Sequence, residues 1–125
     1  MRVVGLLDDV PNLRYDTQVT PVVARLAPRV TLASLRANPD EVDRVFEIPF
    51  AALVEGERWE ARETTWRGAT MTNYHFRYDG EELWGLSAYV ALMLLALMPG
   101  SRAPVPAWFR RRGLGGSVAS RVSDG

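Results

Sequence analysis

Residues 74–98 read YHFRYDGEELWGLSAYVALMLLALM, and this stretch decides the fold. Tyr74, Phe76 and Tyr78 alternate with His75, Arg77 and Asp79. A period of two puts alternate side chains on opposite faces, so the segment is expected to be a strand with one aromatic face. Asp79-Gly80 then signals a hairpin, because Gly tolerates the positive φ that a primed two-residue turn demands. Leu83 and Trp84 give the return strand, and Gly85 breaks the extension. Ser87 is the expected N-cap of a helix running to Met98, where Pro99-Gly100 stops it. From Ala88 to Met98 the only polar group is the Tyr89 hydroxyl. A helix apolar on every side is buried on every side. The run falls short of the roughly 20 residues that cross a bilayer, so a core helix is expected, with a membrane-lying segment as the alternative. Such a helix needs a sheet against one side and more chain against the other.

Working outward, the chain has 125 residues, the size of a single domain. Hydrophobic residues make up 47% and charged residues 24%, and the formal net charge is zero. That balance leaves no electrostatic footprint for nucleic acid or an anionic membrane. Every basic side chain is Arg, which reads as coding bias before it reads as phosphate recognition. Without cysteine, a disulfide scaffold and a thiolate metal site are excluded, and a reducing cytoplasm is permitted. The opening MRVVGLLDDV turns acidic too soon for a signal peptide. His75 is the single histidine, which excludes a multi-histidine metal site. In the middle of an aromatic strand it reads as a structural imidazole.

Upstream, residues 3–7 read as a strand opening almost at the first residue, as if the chain were entered in mid-domain. Asp8-Asp9 and Pro11-Asn12 follow as a loop, with the paired acids in a solvated turn. Residues 17–26 are β-branched and apolar, a strand that Pro21 must put at an edge, bulge or break. Asn38-Pro39 starts a turn in which the Asn38 side chain accepts from a free amide two or three residues on. Val42, Arg44, Phe46 and Ile48 then alternate with Asp43, Val45 and Glu47, which predicts a strand with Phe46 and Ile48 on its buried side. Residues 50–54 are expected to be a short helix. Two antiparallel strands are expected around Gly68. Residues 1–99 are taken as the domain, and 100–125 as a flexible or loosely docked tail rich in Gly, Ser, Pro and Arg. Within that tail Trp108-Phe109 is the one apolar pair, and Arg110-Arg111-Arg112 a small basic knot.

Three segments carry a family resemblance: VVGLLDDVPN with TPVVARL, then NPDEVDRVFEIPFAAL, then YHFRYDGEELWGLSAYVALMLLAL. Their order resembles the C-terminal half of a Nudix hydrolase of the coenzyme A diphosphatase group, over about residues 3–98. The resemblance implies an α+β fold, a partial α/β/α sandwich with a mixed sheet and a buried C-terminal helix. It implies hydrolysis of a phosphoanhydride in coenzyme A-like nucleotide diphosphates, with Mg²⁺ or Mn²⁺. The element that defines the family has the form G-x5-E-x7-R-E-U-x-E-E-x-G-U, where U is aliphatic. It is absent from these residues, as is the subgroup's LLT-x-R-S run with its F-P-G-G. In the family both lie before the region resembled here. Within this half the pattern puts Glu41 nearest the metal and phosphates as a candidate metal ligand. Glu47 is a second candidate deeper in the strand, and Asn38 caps the loop that presents them.

The loss bears on chemistry and stability together. Phosphoanhydride cleavage needs divalent metal to neutralise charge and to generate hydroxide, and Mg²⁺ needs several converging oxygen ligands. At roughly 25 cal/mol per Å², a helix face covering some hundreds of Å² contributes up to about ten kcal/mol. The isolated chain is therefore expected to be poorly stable, or to form a homo-oligomer through exposed sheet. Three readings stay open: part of a metal-dependent hydrolase, inactive alone; a non-catalytic Nudix-derived module that binds a partner or itself; and an unrelated small α+β domain. Placing 42–48 outside the sheet that holds 17–26 would favour the third.

Overall fold

A computed structural model of the chain describes residues 1–12 and 15–106. The expected readings at Trp108-Phe109 and Arg110–Arg112 lie outside the described residues. Strand β1 (Arg2–Leu6), β2 (Val10–Asn12), β3 (Thr17–Val19) and β4 (Val22–Arg25) come first in the chain. They fold as one long ribbon, with β2 against β3 towards its tip and β1 against β4 at its base. The Leu7 amide donates to the Pro21 carbonyl at 3.0 Å, joining the two ladders. Pro21 breaks the second arm, as its missing donor requires. The first arm departs from expectation. Pro11 and Asn12 are strand, opposite Gln18 and Thr17. Asp8 is buried instead of solvated, while Asp9 accepts from the Thr20 hydroxyl across the ribbon.

After a 3-10 turn at Leu32–Ser34, the chain has no regular element until α1 (Phe50–Val54). The strand expected over 42–48 is not formed. Its alternation is real, but the described residues offer it no neighbouring strand, and period two without ladder partners does not hold a strand. Phe46 is consequently exposed and Ile48 only half-buried. By the criterion above this placement favours the unrelated-domain reading, and the comparisons below weigh against it.

The third part is a meander of β5 (Trp59–Trp66), β6 (Ala69–Tyr78) and β7 (Glu81–Trp84), followed by α2 (Gly85–Leu95). Asp79 and Gly80 have φ of 49° and 78°, the primed geometry the sequence implies. Arg67 and Gly68 repeat it at the other turn, with φ of 50° and 79°. Trp84, fully extended, occupies the N-cap position of α2. The strand turns into the helix at Gly85, with φ of 65°. Ser87 falls in the first turn and makes no cap, contrary to expectation, because the glycine starts the helix two residues earlier.

Helix α2 is the centre of the molecule. Met93 packs with Leu7 and Val10 of the ribbon, joined by Val23, Leu86, Val90 and Val105. Leu92 and Leu95 pack with Ala103, Leu53, Trp59 and Tyr74 on the meander side. The sequence calls for a sheet on one side of this helix and more chain on the other; the structure covers it with the ribbon on one side and the meander, α1 and Ala103 on the other. Phe76, fully buried, meets Trp59 at 5.0 Å between ring centroids. The Trp59 indole N–H donates to the Leu53 carbonyl at 2.9 Å, fastening α1 to the meander. Residues 100–106 return to the core: the Arg102 amide donates to the Val54 carbonyl at 2.7 Å, and Ala103 is buried. The fold has the expected α+β character. All strand pairings among the described residues are antiparallel, in three small sheets.

Candidate functional site

The candidate residues Asn38, Glu41 and Glu47 lie on the irregular segment before α1. Asn38 behaves as expected: its Oδ1 accepts from the Asp40 amide at 3.0 Å. Its carbonyl accepts from the amides of Glu41 at 3.1 Å and Val42 at 2.8 Å, closing a single turn that no helix continues. Glu41 and Glu47 are both exposed. The segment is tied to the meander by an ion pair between Arg44 and Glu81 at the start of β7. Among the described residues no group of three or more His, Asp or Glu side chains converges as a metal cage would. The residues present therefore do not fit a complete Mg²⁺ or Mn²⁺ site. Among the described residues Glu41 offers such a site one carboxylate.

Two other polar places were not foreseen. An open cleft of about 410 Å³ is lined by Val54, Glu55, Glu57, Gly100 and Arg102, where the returning chain meets the end of α1. The outer face of the meander carries the second. Cross-strand register sets Glu60 and Trp84 on either side of His75, and Glu82 opposite Arg77. His75 Nδ1 lies 2.8 Å from Glu82 Oε1, and its ring is 3° from parallel with Trp84 at 6.2 Å between centroids. The imidazole is held between a carboxylate and an indole, a packing arrangement in line with the structural reading. Glu60 accepts from Arg62 Nε at 3.1 Å and Nη2 at 3.0 Å. These bonds and the nearby guanidinium charge lower the Glu60 pKa below its ordinary value and raise that of Arg62. Both groupings had a signal in the sequence: Glu60 and Arg62 are two apart on one strand, and a two-residue turn at Asp79-Gly80 fixes the register that sets Trp84 opposite His75 and Glu82 opposite Arg77.

The chain is similar to proteins named Nudix hydrolase NudL. In Salmonella paratyphi B and in Salmonella newport the identity is 33% over 100 residues, covering 80% of this chain and 50% of each relative. In Photorhabdus laumondii it is 32% over 72 residues, covering 58% of this chain and 37% of the relative. The chain spans about half the length of the curated relatives it matches, or less. No protein-family model matches it. No solved structure matches it either. These relatives carry the name of the family that the three segments resemble. No helix among the described residues is long and apolar enough to cross a membrane.

Proposed function

We propose that these residues are the framing half of a Nudix hydrolase domain that cleaves the phosphoanhydride of coenzyme A-like nucleotide diphosphates, in the cytoplasm, with Mg²⁺ or Mn²⁺. The observation that carries this is the 33% identity over 80% of the chain to NudL proteins about twice as long as the matched part. The lack of a converging carboxylate group among the described residues fits a domain whose metal cage is made elsewhere. In this reading Glu41 adds one carboxylate to the cage, with Glu47 a poorer candidate. Asn38 holds the turn from which Glu41 projects, through its bond to the Asp40 amide. The cysteine-free composition is compatible with a cytoplasmic setting.

The test joins this chain, in one polypeptide, to the residues of the Salmonella paratyphi B relative that it does not match, in that relative's order. The joined protein is expected to hydrolyse coenzyme A with Mg²⁺ or Mn²⁺, and Glu41→Gln to raise the metal concentration needed for half-maximal rate. A joined, folded protein without turnover overturns the assignment, and an unchanged metal requirement removes Glu41 from it. A second reading, a non-catalytic module that pairs with itself, draws on the exposed apolar side chains of β1 and β4. It requires a folded dimer of the chain by light scattering and no hydrolysis in either form.

A further inference from the structure

Strand β5 is an edge. The meander runs in the order β5-β6-β7, so β6 takes one side of β5, and no strand among the described residues takes the other. Such an edge presents a row of open N–H and C=O groups, which charged side chains guard against further pairing. The guards here are Glu60, Arg62 and Glu63, in a strand that reads WEARETTW. Glu60 and Arg62 share the outer face, joined by the bonds described above, with 59% and 40% of their side chains exposed. A second copy extends this sheet, strand antiparallel to strand, only about a twofold axis perpendicular to it. That symmetry keeps each face on its own side, so the axis passes between a residue of β5 and the same residue of the second copy. Directly opposite Cβ atoms lie about 4.5–5.5 Å apart, close enough for charge to select the register. An axis at Glu60, Arg62 or Glu63 sets a like charge against itself. An axis at Trp59, Thr64, Thr65 or Trp66 pairs no opposite charges within the strand. An axis at Ala61 puts a small side chain on the dyad and sets Glu60 against Arg62 of the second copy on either side of it. The four charges then alternate in a square, each with an opposite neighbour along its own strand and another across the junction.

We propose that the free edge of β5 pairs with the same strand of a second copy of this chain, antiparallel and centred on Ala61, joining two meanders into one six-stranded sheet. The charges that repel a copy in the neighbouring registers admit it in this one. In strand addition the main-chain bonds carry the affinity, here over residues 59–63, and the side chains set the register. The surface is distinct from the β1–β4 face, and the pairing does not depend on whether the chain is part of a hydrolase.

Sedimentation equilibrium of the 125-residue chain across a concentration series tests this. A monomer–dimer equilibrium is expected, weakened by salt because exposed charges are screened. Glu60→Arg and Arg62→Glu should each weaken dimerisation at least about tenfold, because like charges then meet twice across the junction. Mixing the two variants should restore a dimer with one copy of each. The double variant, Glu60→Arg with Arg62→Glu, should dimerise as the unchanged chain does. A chain that stays monomeric at every concentration overturns the inference. A dimer that survives either single reversal is held by another surface and overturns it too, as does a mixture of the two variants that stays monomeric. If circular dichroism shows a single reversal to be unfolded, the double variant decides: dimerisation equal to that of the unchanged chain supports the pairing, and its loss overturns it.

Discussion

Gly56 shows how one missing side chain sets the path of the chain. It has φ of +88°, and a Cβ there would come within 2.3 Å of the Arg102 carbonyl oxygen. The backbone of the returning segment passes where any other residue would stand, so the Val54–Arg102 hydrogen bond depends on glycine. Gly68 and Gly80 have similar φ but open space at the Cβ position. Gly68→Ala and Gly80→Ala are expected to cost about 1–2 kcal/mol each from backbone strain alone. Gly56→Ala should cost roughly 2 kcal/mol more than either, because backbone must move. Urea denaturation of the three variants checks the order. At Glu60 the effect is electrostatic: the Arg62 guanidinium holds its carboxyl below the ordinary value. A depressed folded pKa contributes stability that is present above the unfolded value and lost as pH falls through the folded one. Since the pair lies in water, the expected consequence of Arg62→Ala is a rise in the Glu60 pKa, seen by NMR titration, with the denaturation midpoint nearly unchanged.

At the scale of elements, α2 and the hairpins were legible, and for separate reasons. Asp79-Gly80 writes a primed turn locally, and alternation over Tyr74, Phe76 and Tyr78 writes the face that meets the core. The uncharged helix announces its burial through composition. Segment 42–48 was not legible. Its alternation predicts a strand, yet whether a strand forms depends on a neighbour, and a neighbour is a tertiary fact. Ser87 failed differently: a good capping residue lost to Gly85, whose positive φ made the turn first. Of the site, the Asn38 turn was readable because its bond is local. The Glu60–Arg62 pair is two apart on one strand and the His75–Glu82 pair follows from the register of the Asp79-Gly80 turn, so both had a signal that the motif reading passed over. The element account predicts that Leu92→Ala, at a fully buried position touching the meander side, costs about 2–5 kcal/mol. Trp59→Phe should cost about 1 kcal/mol through the loss of its bond to the Leu53 carbonyl. Thermal or urea denaturation reads both.

At the scale of the whole molecule, the fold collects its apolar mass around α2 and leaves its carboxylates dispersed. Glu41 and Glu47 stand on exposed, irregular backbone. Asp8 and Asp9 belong to the ribbon, and Glu81 is taken by Arg44. Among the described residues these carboxylates are not gathered as the several oxygen ligands of a Mg²⁺ site are. The most direct measurement is phosphoanhydride hydrolysis of coenzyme A by the purified 125-residue chain across a titration of Mg²⁺ and of Mn²⁺. No metal-dependent turnover is predicted from the chain alone, while the joined protein turns over under the same conditions. Saturable, metal-dependent cleavage by the short chain would contradict the account.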